Sequence, residues 1–222
     1  MRARLAGLGL VAALGLIACG ARAPRLPADE MSGFLDDYSR LAPGGPDQPS
    51  FVYRDPQARW GGYERILFEP VTIWRSGRGS LADIPGADLE RLAFELQRSV
   101  RAQLERHFEL VDRPGPGVLR VRLGLTQARQ ADPLLDIFTY AVPPMDDLPA
   151  DEPLTAATRG FVAAAAVEGE LSDTVTGTLL AAGVDRRRTH ELRTWAGVRA
   201  AADRWAAWFA GRLERARRGG LR

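Results

Sequence analysis

The sequence predicts an α+β fold of two layers: a mixed or antiparallel sheet of about five strands with two amphipathic helices on one face. Three observations predict it. Two long segments, 87–108 and 194–217, repeat apolar residues every three or four positions, the spacing of one helix face. Short runs such as 65–74 and 118–127 are rich in β-branched residues or alternate apolar with charged ones, as strands do. The order strand, helix, strand, strand, hairpin, helix contains no repeated βαβ unit, which argues against a doubly wound parallel sheet.

The chain opens on a targeting signal. Arg2 and Arg4 precede an apolar run from Leu5 to Ile17, and small residues follow at Ala18, Cys19 and Gly20. A positive start, a short apolar core and a small-residue exit describe a secretory signal peptide, residues 1–18. The run is shorter than the roughly 20 apolar residues a bilayer span requires. Leu16-Ile17-Ala18-Cys19 resembles the bacterial lipobox. That resemblance implies a diacylglycerol on the Cys19 sulfur, cleavage before Cys19 and acylation of the new amino group. Gly20, rather than aspartate, after the cysteine resembles cargo sent to the outer membrane. Two or three acyl chains on one residue make release negligible, since one chain alone binds only marginally. Cys19 is the one cysteine of the chain, so the remaining domain carries neither free thiol nor disulfide.

Residues 19–30 read as the acylated N-terminus and a flexible tether, and 31–222 as a single α+β domain. Phe34, Leu35, Tyr38 and Leu41 have helical spacing, so 31–41 is expected to form a turn or short helix, ended by the Pro/Gly stretch 42–50. In the strand 65–74, Pro70 requires an edge position or a bulge. The stripe of the first helix is Leu89, Leu92, Ala93, Leu96, Val100, Leu104 and Phe108, with Arg91 and Glu95 placed on its polar sides. A short strand at 108–111 follows. In 118–127, Leu119, Val121, Leu123 and Leu125 face one way, Arg120 and Arg122 the other. Segment 161–187 reads as a long hairpin turning within 173–177. If its first strand lies beside 118–127, Glu168 and Glu170 pair with Arg120 and Arg122 across the ladder. The last helix carries the stripe Val198, Ala202, Trp205, Phe209 and Leu213.

Composition bounds the function. Of 222 residues, 45% are hydrophobic, and all 30 basic residues are arginine, with a formal net charge of +2. A calculated pI of about 9.1 raises nucleic acid as a partner, but an exported chain meets none in its compartment. His107 and His190 have no metal-ligand spacing, and no cofactor motif is present. The serine-nucleophile signature G-x-S-x-G is absent. The loop 75–80, RSGRGS, lacks the P-loop pattern. Acidic pairs at 36–37, 146–147 and 151–152 are sequence neighbours, not carboxylates facing each other across a cleft. Asp37, Tyr38, Tyr53 and Arg54 stand in aperiodic segments and form either a partner surface or a staple onto the sheet. The long segment 131–159 holds the apolar run 134–140, which either caps the core or contacts a partner.

The blocks SGFLDDYSRL, VYRDP and YERILFEPVTIW, and later EGELSDTVTGTLLAAGVDRR, resemble the bacterial family labelled domain of unknown function 3313, from about Met31 to the final helix. The resemblance implies a Gram-negative envelope lipoprotein and transfers no functional residue. The expectation is a lipid-anchored outer-membrane lipoprotein facing the periplasm. It would be a non-catalytic binding or scaffolding module for an envelope protein or peptidoglycan, using its sheet face or long loop. The alternatives are a hydrolase-like enzyme, or a carrier of a lipid or small molecule, which needs a sizeable apolar cavity.

Overall fold

The computed structural model describes residues 25–75, 84–127, 136–139, 152–186 and 192–219. Cys19, the expected signal peptide 1–18, loop 75–80 beyond Arg75, His190 and most of 131–159 lie outside the described residues. The class is α+β, as expected, and the sheet is mixed. It is larger than expected, with nine strands among the described residues instead of about five. They are β1 (Ala42–Pro43), β2 (Phe51–Arg54), β3 (Arg65–Phe68), β4 (Thr72–Arg75), β5 (Glu109–Leu110), β6 (Val118–Gln127), β7 (Asp136–Thr139), β8 (Ala166–Asp173) and β9 (Leu179–Asp185). Three α-helices, not two, are present among the described residues: α1 (Gly86–Leu104), α2 (Ala156–Ala164) and α3 (Trp195–Arg217).

The strands run β1-β2-β9-β8-β6-β3-β5. From β1 through β6 every pair is antiparallel; β3 and β4 both lie parallel to β6, and β7 closes antiparallel on β4. β3 and β4 are one strand interrupted. Pro70 has no N–H to give a ladder, and at the break the Val71 N–H turns instead to Gln97 Oε1 on α1 at 2.8 Å. The strand therefore runs along the interior strand β6, with its break at the proline. The hairpin forms from β8 and β9 around Thr174–Thr178, and Gly177 takes φ +70° there. Residues 161–164, expected in that hairpin, instead end α2. Its N-cap Thr155 accepts from the Thr158 N–H, and its Ala-rich sequence favours helix.

One sheet face carries α1 and α3. Ile66, Leu119, Val121 and Leu123 meet Leu96, Val100 and Leu104 of α1 and Ala206, Ala210 and Leu213 of α3. Arg91 and Glu95, expected on exposed sides of α1, are buried because other elements pack against that flank. Glu95, 0% exposed, takes a fork of hydrogen bonds from Arg199 of α3 at 2.9 and 3.1 Å. Arg91 lies 4.2 Å over the Trp195 ring and pairs with Glu152.

The other sheet face is covered by the N-terminal segment, which crosses it as an extended strap. Leu26, Phe34, Leu35 and Leu41 pack there against Ala182 and Val184. Of the turn or short helix expected at 31–41, a turn forms at 39–40 and no helix does; the rest of the segment takes bends, since its apolar residues serve a sheet and not a helical stripe. The packed body also starts earlier than the expected boundary at residue 31. Leu26 is 4% exposed, and Arg186 binds the Glu30 carboxylate. A tether extending to residue 30 is thus corrected.

Candidate functional site

The two faces differ in how they are filled. On the strap face, Gly124 of β6 leaves room for the Phe34 ring. A Cβ added there would lie 2.7 Å from two ring carbons. Trp74 meets Phe34 edge-on at 5.6 Å and donates its indole N–H to the Ser32 carbonyl at 3.0 Å. Beside it, Glu168 is 0% exposed. Tyr38 Oη donates to Glu168 Oε2 at 2.7 Å, and Thr126 Oγ1 donates to Oε1 at 2.8 Å. Tyr38 Oη in turn accepts the backbone N–H groups of Gly33 and Leu35 at 3.0 and 3.2 Å. Burial pushes the Glu168 carboxyl up, against the hydrogen bonds that favour its charge. Burial and the neighbouring Glu168 push the Tyr38 phenol up to about 12.

On the helix face the layers part. A cavity of about 550 Å³ lies between the sheet and the three helices, walled by Leu92 and Leu96 of α1, Leu125 of β6, Val162 of α2, and Val198 and Ala202 of α3. A second, of about 110 Å³, lies further along α3 over Gly169 and Gly183, which face each other across β8 and β9. The reason is volume. These glycines, Ala181, Ala201 and Ala202 bring little side chain to the gap, and α3 spans it with Trp205 and Phe209, stacked 5.2 Å apart. Trp205, Val167 and Asp185 line both cavities. Asp185 is 6% exposed and accepts the Trp205 indole N–H at 2.8 Å, which fixes the ring as a partition. Asp185 and Arg204 are the charged side chains on the larger cavity, and no serine, cysteine or histidine among the described residues lines either one. Such a space can hold an apolar ligand with few polar contacts, the character of small-molecule sites.

The four residues singled out by their aperiodic context do not converge. Asp37 is exposed; hydrogen bonds from the Ser39 side chain and from the Ser39 N–H, the latter at 2.8 Å, hold its pKa below the ordinary value. Tyr38 is the centre of the strap network. Tyr53 packs on the strap face with the Arg40 guanidinium 3.7 Å over its ring. Arg54 points to the other face, lining the smaller cavity. The expected cross-strand pairing is half present. Arg122 faces Glu170 and binds it at 2.6 Å, but Glu168 faces Gly124, and Arg120 reaches Glu69 at 3.1 Å. Asp185, Trp205 and Arg204 were not singled out as a group. The signal available was the cluster of glycine and alanine opposite a helix bearing large aromatics. Among the described residues, no group of three or more His, Cys, Asp or Glu could hold a metal ion.

No curated protein and no solved structure matches the chain. A family model described as protein of unknown function, DUF3313, matches residues 30–209, from the strap through most of α3, and so takes in both sheet faces. The chain belongs to the DUF3313 family.

Proposed function

We propose that this protein is a lipoprotein of the bacterial envelope, anchored to the outer membrane through acylated Cys19 and facing the periplasm. Its domain acts as a non-catalytic binding module that takes an apolar ligand between its layers. The interlayer cavity of about 550 Å³ carries the reading, because a carrier needs an apolar space of that order. The sheet faces are less suited to docking a partner, since helices cover one and the strap the other. The lipobox supports the anchor, and no helix of the described residues is long and apolar enough to cross a membrane.

Two measurements test this. Intact mass of the purified protein is expected to show a chain beginning at Cys19 with acyl groups attached; an unmodified Cys19 overturns the anchor. Titration with the uncharged probe N-phenyl-1-naphthylamine is expected to saturate at one site per chain. Ala202→Trp, which fills the cavity, should abolish that binding while the far-ultraviolet circular dichroism stays unchanged. Absence of saturable binding to the unsubstituted protein overturns the module's function.

A further inference from the structure

We infer that the larger cavity takes a single-chain aliphatic amphiphile with an anionic head, a carboxylate or a phosphate, held at the mouth by Arg204. This rests on the reading of the domain as a binder of apolar ligands. The cavity's lining joins the exposed Arg204 to buried apolar residues such as Leu92 and Leu96, so it combines a charged group in solvent with apolar wall. A ligand matched to that combination has a tail and one polar end.

The sign of the polar end follows from the charged groups that the described residues bring to the lining, Asp185 and Arg204. Asp185 already accepts the Trp205 indole N–H, and a carboxylate offers an anionic head group no donor. Arg204 makes no hydrogen bond or ion pair among the described residues. Its neighbour Asp203 does not neutralise it, because Asp203 faces α1, where it accepts from Ser99 at 2.6 Å and Arg98 at 3.2 Å. Arg204 follows Ala201 by three residues and so stands on the same flank of α3, placing a guanidinium at the rim above an alanine wall. A guanidinium binds carboxylate and phosphate through paired N–H groups. Attraction to Arg204 sets the head outward and the tail inward. The occupant is a separate molecule, since the strap leading back toward Cys19 lies on the opposite sheet face.

The test compares dodecanoate, dodecyl phosphate and 1-dodecanol on the full acylated protein in nanodiscs at pH 8, with displacement of N-phenyl-1-naphthylamine as the readout. One or both anions should bind about tenfold or more tightly than the alcohol, the order expected of a charge-assisted contact. Arg204→Gln should erase that preference and leave dodecanol binding unchanged, and Arg204→Lys should restore part of it. Preference for dodecanoate points to a fatty acid, and preference for dodecyl phosphate to a phosphate-headed lipid. Equal binding of all three by the unsubstituted protein, or a preference that survives in Arg204→Gln, overturns the anionic-head assignment and leaves the cavity function standing. Failure of all three to displace the probe also overturns the assignment. Failure of the probe itself to bind removes both.

Discussion

The two faces of one sheet solve the same burial problem in opposite ways. The strap face buries a carboxylate and fills every gap around it with hydroxyls and rings. The helix face buries carboxylates too, Glu95 against Arg199 and Asp185 against the Trp205 indole, yet leaves space between its layers. Burying Glu168 requires partners for its oxygens, and these lock Tyr38, Thr126 and Ser32 into one arrangement. On the helix face Glu95 meets Arg199 and Asp185 meets the Trp205 indole, while the glycines and alanines between the layers leave a cavity. Both sides bury carboxylates; the small residues of β8, β9 and α3 are what leave space on one of them.

Substitutions can break that contrast. The largest effect is expected from Glu168→Ala, which strands two hydroxyls and opens a void; about 3 kcal/mol of stability should be lost in urea denaturation. Tyr38→Phe removes the hydroxyl that joins the strap backbone to Glu168 and should cost about 2 kcal/mol in the same measurement. A matched pair of glycines sharpens the comparison. An added Cβ meets a side chain at 2.7 Å at both Gly124 and Gly169. At Gly124 the neighbour is the enclosed Phe34 ring, and Gly124→Ala should cost about 1.5 kcal/mol. At Gly169 it is the end of Leu123 beside the smaller cavity, and Gly169→Ala should cost less than about 0.5 kcal/mol. Equal losses would contradict the filled-versus-hollow distinction.

The finest test is pH. The Glu168 carboxyl is raised above 4.5 in the folded protein, so the folded state holds its proton to higher pH than the unfolded chain. Its contribution to stability is therefore most favourable at and below pH 4.5 and declines as pH rises through the raised value. The stability of the unsubstituted protein relative to Glu168→Gln should fall as pH increases above about 4.5. A rising or flat difference contradicts the raised Glu168 carboxyl and shows its hydrogen bonds outweighing its burial. Taking the difference cancels Glu170, whose carboxyl burial also raises.

Much of the helix face was legible in the sequence and little of the strap face was. α3 begins one residue inside its expected range because Thr194 caps it and its stripe repeats regularly. β6 alternates as written, with its leucines toward the helices. Glu168 and Glu170 were legible as facing away from that core. Their burial was not, because the covering segment is aperiodic and contact across 130 residues leaves no local pattern. Glu95 was misplaced for a related reason: an isolated stripe does not show that a second helix will bury its flank. The cavity was illegible because a void is an absence of volume between distant elements, hinted at only by glycine and alanine on β8, β9 and α3.

The strap also has a mechanical meaning. A pull on the N-terminus meets Leu26, the Glu30–Arg186 bridge, Phe34, the Tyr38–Glu168 clasp and Leu41 in chain order. Tension would thus be met by a row of separate holds on the sheet. The hollow beneath the helices lies on the opposite side of that sheet.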